Sequence, residues 1–249
     1  MSSDGVILQT KSLSKHFGAL KAVNDVTLGI GSGVHSIIGP NGAGKTTLFN
    51  LLTGFLTATE GKIFYQGEEI TNLPPYEISK GGMARSFQIT SIFPELTVYE
   101  NVRLAAQSRL KASYNFLVSC KSLKGVDEKA KNTLKKVGLL EVADLTAKNL
   151  SYGLQRALDI GISLATDPNV ILLDEPTSGM DQKDTDQIIQ LISDISRRMT
   201  VVLIEHNIDI VLSVSDVVTV LYQGEILAEG TPSEIQKNDR VQEAYLGGY

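Results

Sequence analysis

Residues 39–47 combine glycines, a lysine and two threonines in the pattern G-x-x-x-x-G-K-[ST]. The segment reads Gly39, Pro40, Asn41, Gly42, Ala43, Gly44, Lys45, Thr46 and Thr47. Glycines let successive backbone N–H groups point inward and form a concave anion site, and a helix starting near Lys45 would add its positive end. Lys45 would then reach the β- and γ-phosphates of a nucleoside triphosphate, and the Thr46 hydroxyl would ligate Mg²⁺. The alternative is a glycine-rich turn ahead of an ordinary helix.

Two further apolar runs end in side chains that can do chemistry. Charged or titratable residues follow both runs at once: Asp174 and Glu175 after residues 170–173, and Glu205 and His206 after residues 201–204. Because open parallel sheets bind ligands at the carboxyl ends of their strands, we expect these groups to share one edge with residues 39–47. There Asp174 would hold Mg²⁺ and Glu175 would act as general base on water. The alternative is an acidic pair that caps the turn before Pro176.

Ser151 and Gly153 stand at the start of a predicted helix. Such an N-terminus can bind phosphate, because its free N–H groups and the helix dipole favour negative charge. Taken alone, the heptapeptide 150–156 favours the plainer interpretation, in which Ser151 simply caps the helix.

The elements that must position these residues alternate along the chain. Hydrophobic patterning predicts strands at 6–10, 23–30, 34–38, 61–67, 170–173, 201–204, 217–222 and 225–228. It predicts helices at 45–54, 75–80, 151–166 and 182–198, a mainly helical stretch at 97–140, and a helical tail from 232. No internal repeat and no clear linker divides the sequence, so an α/β protein of one domain is predicted.

Composition restricts the class of protein. The 249 residues, 42% of them apolar, suffice for one large α/β domain or for such a domain with a helical appendage. A net charge of −5 gives no indication of a basic surface, so we expect no nucleic-acid partner. The single cysteine, Cys120, excludes an internal disulfide and fits a reducing compartment.

Membrane insertion is not expected of this chain. No apolar run approaches about 18 residues, so a partner chain would have to supply any membrane span. Residues 1–5 lack the basic and apolar stretches of a signal peptide, so we expect none.

Six motifs follow one another in the order and spacing found in ABC transporter ATPase subunits. They are the phosphate loop 39–47, Gln88 after Arg85-Ser86-Phe87, Leu150–Arg156, Ile171–Glu175, Ser178–Asp181 and His206. They resemble the Walker A, Q-loop, signature, Walker B, D-loop and switch-histidine motifs, and the resemblance covers essentially the whole chain. It implies a RecA-like P-loop NTPase core with an antiparallel β region and an inserted α-helical subdomain. Within a single domain 1–249, the core would span approximately 1–89 and 166–249, and the helical subdomain approximately 90–165.

The resemblance also implies roles for particular residues. A head-to-tail dimer would sandwich two ATP molecules, and Ser151 and Gly153 would touch the γ-phosphate bound by the other subunit. The D-loop residue Asp181 would be a nucleotide-binding residue. Gln88 would contact Mg²⁺ and the attacking water and abut membrane subunits. Without this context, Gln88 would equally be an ordinary loop amide.

Two aromatic side chains take part by the same resemblance. Phe17 would stack on adenine, although a core phenylalanine is nearly as well supported by the sequence. His206 would contact the γ-phosphate, whereas a lone buried histidine is the usual alternative.

The signature segment departs from the family's LSGGQ, since Tyr152 replaces the first glycine and Leu154 replaces the glutamine. The tyrosine is similar to that of ATPases serving importers of branched-chain amino acids and related amides. Leu154 removes an amide that could bind nucleotide across the dimer, which leaves that contact to Ser151 and Gly153.

Three other stretches resemble LivG-type branched-chain amino acid transport ATPases: 83–88, 96–102 and 244–247. The resemblance implies work at the cytoplasmic face of the membrane, with integral-membrane permease subunits, a second ATPase subunit and an extracytoplasmic solute-binding protein. A soluble ABC ATPase acting on nucleic acid or ribosomes is the main rival. One phosphate loop, no heptads and an acidic charge argue against it. A non-catalytic nucleotide-binding regulator is disfavoured by Glu175 and His206.

Overall fold

Two β-sheets with helices packed against them make up the part of the chain that the computed structural model describes, residues 5–86, 91–108 and 120–246. The strands are β1 (Leu8–Phe17), β2 (Leu20–Ile30), β3 (Val34–Ile38), β4 (Glu60–Tyr65), β5 (Glu68–Glu69), β6 (Met83–Ser86), β7 (Val170–Asp174), β8 (Thr200–Ile204), β9 (Val217–Tyr222) and β10 (Glu225–Gly230). The helices are α1 (Lys45–Leu52), α2 (Pro75–Lys80), α3 (Val98–Ser108), α4 (Cys120–Lys136), α5 (Tyr152–Ala165), α6 (Gln182–Ser196), α7 (Ile208–Val214), α8 (Pro232–Gln236) and α9 (Asp239–Leu246).

The larger sheet has the order β10-β9-β3-β8-β7-β6. Its β6, β7, β8, β3 and β9 are paired in parallel, and only the β9–β10 hairpin is antiparallel. The three central strands are buried along their whole length, which explains why their sequences are continuous apolar runs. Ile204 pairs with Asp174 on one side and with Ile37 on the other. The chemistry that follows these three strands therefore emerges at one edge, as predicted.

The smaller sheet is antiparallel, in the order β2-β1-β4-β5. Strands β1 and β2 are longer than the predicted 6–10 and 23–30, because bulges interrupt their alternation without ending the pairing. Ser12 and Asp25 take positive φ values of 45° and 52° at these irregularities.

The apolar core lies on both faces of the larger sheet. Alternate residues Ile171 and Leu173 face a cluster that includes the buried side chains of α3, α4 and α5. Their neighbours Leu172 and Val170 face a second cluster formed with α1 and the antiparallel sheet. The period of two places the helical segments on one face and the antiparallel sheet on the other.

The predicted fold class, an α/β core with an antiparallel region and helical segments, is confirmed. The predicted division into core and helical subdomain stays a prediction. The sequence missed β6, a four-residue edge strand, and α7. Among the described residues, no helix combines the length and apolar character needed to cross a membrane.

Candidate nucleotide-binding site

The phosphate loop connects β3 to α1 and depends on glycine at particular positions. Gly44 caps α1 with φ 102°, and a Cβ there would lie 2.3 Å from the carbonyl oxygen of Ala22. A Cβ on Gly39 would lie 2.2 Å from the carbonyl oxygen of Leu221. Side chains at these positions would clash with the backbone of β2 and β9, so the loop can pack here only with glycine. No side chain caps α1, which leaves its first N–H groups directed at the site.

Lys45 lies buried against its own loop. Its Nζ donates hydrogen bonds to the carbonyl oxygens of Gly39 (2.7 Å) and Pro40 (3.1 Å). Burial lowers the pKa of Lys45, while the negative charges of Glu175 and Asp174 act in the opposite direction. The ammonium group is therefore held between the loop and the two carboxylates, where phosphate oxygens would be bound.

Asp174 ends β7 and is almost wholly buried. Its Oδ2 accepts a hydrogen bond of 2.9 Å from Nη2 of Arg85 on β6. Nη1 of Arg85 donates to Oδ1 of Asn50 (2.7 Å) and to Oγ1 of Thr53 (3.2 Å) on and just after α1. Sequence analysis gave Arg85 no role, because the pairing joins residues 89 positions apart.

Glu175 adopts the left-handed backbone conformation, with φ 48°. Its N–H donates to the carbonyl oxygen of Ile204 (2.9 Å), which ties the turn after β7 to the end of β8. Its own carbonyl oxygen accepts a 2.5 Å hydrogen bond from Nη2 of Arg156. A non-glycine residue in this region stores strain that surrounding contacts must hold.

His206 contacts Glu175 directly, through a hydrogen bond between Nε2 and the carboxylate Oε1. The neighbouring Glu205 is buried and accepts hydrogen bonds from the N–H and Oγ1 of Thr177, at 3.1 and 2.6 Å. Its other oxygen accepts from the His206 N–H at 3.2 Å. Glu205 therefore joins the loop that carries His206 to the segment after Glu175. Its position after a buried strand was the only sequence signal for this role.

One open cavity of about 660 Å³ unites most of the predicted residues. Its lining includes Phe17, Asn41, Gly42, Ala43, Gly44, Lys45, Thr46, Thr47, Glu175 and His206. Leu20, Lys21, Ala22 and Gln223 complete the wall and were not predicted. A cavity of this size, with a phosphate loop at one end and an aromatic ring at its rim, matches a nucleotide.

Phe17 is 48% exposed, so the core alternative for this side chain is wrong. The Lys15 ammonium lies 5.2 Å from the centre of its ring. Gly39, Pro40 and Asp174 are absent from the cavity lining, although Gly39 and Pro40 accept hydrogen bonds from the lining residue Lys45. Gln88 falls outside the described residues.

Ser151, Gly153 and Asp181 do not line this cavity. Ser151 caps α5 by accepting from the Leu154 N–H at 3.4 Å, and Asp181 caps α6 by accepting from the Asp184 N–H at 2.8 Å. The exposed Ser151 and Asp181 thus leave these two helix N-termini facing outward. Leu154 is partly buried against the apolar cluster of α3–α5, so its side chain packs within its own subunit.

The ABC transporter family model matches residues 23–178, which is more than half of the chain. The chain belongs to the ABC transporter family. A second model, for the branched-chain amino acid ATP-binding cassette transporter, matches residues 225–249.

Curated relatives of this ABC protein match it along nearly its whole length. It is 42% identical to the high-affinity branched-chain amino acid transport ATP-binding protein BraF of Pseudomonas aeruginosa and 39% identical to LivG of Escherichia coli K12. Each alignment covers 97% of this chain and 98% of the relative. The predicted resemblance is confirmed.

Solved cassettes share the fold. MJ1267, an ATP-binding cassette of an ABC transporter in its ADP conformation, superposes with a TM-score of 0.84 at 32% identity, covering 97% of this chain and 99% of that one. A dimeric cassette, MJ0796 bound to ADP and Pi, gives 0.77 at 27% identity, with coverage of 91% and 99%. The protein is therefore an ABC ATPase subunit that binds nucleotide.

Proposed function

We propose that this protein is the ATP-hydrolysing subunit of an importer for branched-chain amino acids or related small amides. The observation that carries the proposal is the single cavity that unites an exposed aromatic ring, a phosphate loop, a carboxylate and a histidine. The relatives named for branched-chain amino acid transport favour this function over action on nucleic acid or ribosomes. The acidic charge of −5 supports the same choice.

Within the cavity, Phe17 stacks on the adenine and Lys45 binds the β- and γ-phosphates. Exchanging the carbonyl oxygens of Gly39 and Pro40 for phosphate oxygens keeps the Lys45 donors satisfied. The charge of the ammonium group then opposes the negative charge that develops on the transferred phosphoryl group.

Mg²⁺ fits the oxygen groups at the end of β7 and the start of α1. Thr46 offers a hydroxyl and Asp174 a carboxylate, and Gln88, which lies outside the described residues, would add an amide oxygen. Among the described residues there is no group of three or more His, Cys, Asp or Glu that could cage a metal, so the phosphates would supply the remaining ligands. When bound, Mg²⁺ neutralises charge on the β- and γ-phosphates.

Glu175 accepts the proton of the attacking water as general base. His206 orients that carboxylate through the hydrogen bond they share, and its exposed position allows it to contact the γ-phosphate. Phosphoryl transfer requires mainly positioning and neutralisation of charge, so control of these two side chains controls turnover.

A second ATPase subunit completes the site. Ser151 is exposed at the N-terminus of α5, where it can meet a γ-phosphate bound by another subunit, and the buried Gly153 lets the same turn pack closely against Asp184. Asp181 borders the same face. The dimeric cassette among the structural neighbours supports this arrangement for a homodimer or a heterodimer.

Permease subunits would dock on a different face. A groove of about 230 Å³ runs between α2, β6 and α5, and its apolar walls include Phe55, Pro75, Ile78, Met83 and Ile162. Phe55 is exposed, which suits contact with an apolar helix of a partner. The subunit would then act peripherally at the cytoplasmic face, while an extracytoplasmic solute-binding protein captures the cargo.

Purification of the intact complex from its native membrane tests the proposal. We expect multi-span permease chains to co-purify and phosphate release from Mg·ATP to depend on the transported amino acid with its capture protein. Association with ribosomes or nucleic acid, with no membrane partner, would overturn it.

A further inference from the structure

Arg156 is a large buried cation to which neither the sequence motifs nor the proposed chemistry assigns a task. It belongs to the first turn and a half of α5, five residues after Ser151, and is only 2% exposed. Its guanidinium group reaches the turn after β7. Nη2 donates to the carbonyl oxygens of Asp174 (3.2 Å) and Glu175 (2.5 Å), and Nε donates to that of Pro176 (3.4 Å).

These three carbonyls belong to consecutive residues around the strained position. Glu175 has φ 48°, a conformation costing about 1–3 kcal/mol that persists only when neighbouring contacts impose it. A planar group with several fixed N–H donors can hold three such carbonyls at once, whereas a lysine ammonium is a point charge without that fork. The Arg156 contacts therefore fix the backbone from which the Glu175 carboxylate projects.

The start of α5 packs against the same loop at its surface. A Cβ on Gly153 would lie 2.1 Å from Oδ2 of Asp184, so the helix approaches α6 closely there. A Cβ on Gly179 would lie 3.7 Å from the ring of Tyr152. The first turn of α5 and residues 174–184 are thus in contact both inside the protein, through Arg156, and at its surface.

We propose that Arg156 is a positioning residue that couples the outward-facing N-terminus of α5 to the general base. The proposal rests on the proposed function, in which Ser151 meets nucleotide on the other subunit and Glu175 acts on water in its own cavity. When Ser151 contacts the nucleotide of the partner subunit, a shift of α5 displaces Arg156 and, through its hydrogen bond, the backbone carbonyl of Glu175. Each subunit's hydrolysis is thereby made dependent on the nucleotide bound by the other.

The decisive variant is Arg156→Lys, which keeps the charge and loses the fork. We expect the kcat for ATP hydrolysis to fall roughly 10- to 100-fold, because a displaced general base is poorly aligned with water. ATP affinity should stay within about threefold, since Arg156 lies outside the nucleotide cavity. In a Glu175→Gln background the same substitution should change the residual rate less than about twofold, because it acts through that carboxylate.

Cooperativity tests the coupling itself. In the assembled dimer the Hill coefficient for ATP is expected to exceed 1 for the wild type and to fall toward 1 for Arg156→Lys. A wild-type coefficient of 1, or an unchanged coefficient in the variant, would overturn the coupling.

Leu158→Ala is the matched control for destabilisation of α5, because Leu158 is fully buried on the same helix and does not bond to the Glu175 turn. Arg103→Lys controls for loss of an arginine fork at the partly exposed pair with Asp127. Equal kcat losses in Leu158→Ala and Arg156→Lys would reduce Arg156 to a structural residue. If Arg156→Lys and Arg156→Gln both lack a cooperative melting transition, Arg156 serves the fold and the positioning role is overturned.

The failure of the proposed function would be recognised separately. In that case wild-type protein would show no ATP turnover, or Glu175→Gln would hydrolyse ATP like the wild type, whatever the Arg156 variants do.

Discussion

The nucleotide cavity and the outward-facing N-terminus of α5 are built on opposite principles. Phe17, Lys45, Glu175 and His206 come from strand ends and loops far apart in sequence, yet one chain brings them to one cavity. Ser151 and Gly153 are separated by one residue in sequence and do not line that cavity, and Ser151 is exposed. A single chain therefore brings the cavity-lining residues together by itself, whereas the role proposed for Ser151 requires a second subunit.

The function of the cavity should be impaired most severely by Glu175→Gln. The amide keeps the shape of the side chain but cannot accept the proton of water, so kcat should fall about 10²- to 10⁴-fold while ATP still binds. Phosphate release and ATP titration measure the two effects, and sedimentation should show a trapped dimer. Turnover near the wild-type rate would remove Glu175 from the role of general base.

Acid should lower the stability of the protein through His35 on β3, the strand that leads to the phosphate loop. His35 on β3 is buried against Thr219, with 2.8 Å between Nε2 and Oγ1, and burial lowers its pKa to about 4 from 6.5. Between pH 6.5 and 4 the imidazole of His35 binds a proton in the unfolded chain but not in the folded one. The free energy of unfolding should therefore decrease as the pH is lowered, by about 3 kcal/mol in total from this group.

Urea titrations at pH 7 and pH 4.5 would measure that loss. His35→Gln, which retains a hydrogen-bonding amide, should flatten the dependence over this window. An unchanged slope in the variant would show that other groups cause it.

Loss of phosphate binding is expected from Lys45→Ala. Removing hydrogen bonds from a charged donor should cost about 1.5–3 kcal/mol of binding, or roughly 10- to 150-fold in ATP affinity. Calorimetry would measure it, with Lys21→Ala as a lining control that is not part of the phosphate loop. Unchanged affinity would contradict the phosphate-loop assignment.

The smallest effect concerns the α5 face. Leu154→Gln would restore the family amide, which by itself would strengthen ATP-dependent dimerisation by one hydrogen bond, about 0.5–1.5 kcal/mol. Because Leu154 packs against the apolar cluster, we now expect a lower melting temperature and no gain in dimer. Sedimentation with ATP in a Glu175→Gln background, together with a melting curve, distinguishes the two. A stronger dimer at unchanged stability would favour the contact across the interface.

The residues of the cavity could be predicted from the sequence because buried parallel strands have a recognisable pattern. The runs ending at Ile38, Leu173 and Ile204 are apolar on both faces, and their order places the following residues at one edge. The predicted bounds of α6 and of the β9–β10 hairpin lie within two residues of the observed ones, because the hydrophobic pattern of these elements is regular.

The features that could not be predicted from the sequence depend on contacts between residues that are far apart along the chain. Strand β6 is only four residues long and contains Arg85, whose charge hides a buried position until Asp174 compensates it. The roles of Arg156 and Glu205 likewise exist only through backbone and hydroxyl groups that folding brings near. Patterning over a local window contains no record of such pairs.

The half-exposed ring of Phe17 has a consequence for which nucleoside triphosphate the protein binds. Stacking on a π-face is largely indifferent to which base is stacked, since every base presents one. Recognition concentrated on phosphates and a solvent-facing aromatic would let GTP replace ATP at modest loss of affinity. In a cell, the abundance of ATP rather than the shape of the cavity would then decide which triphosphate drives the cycle.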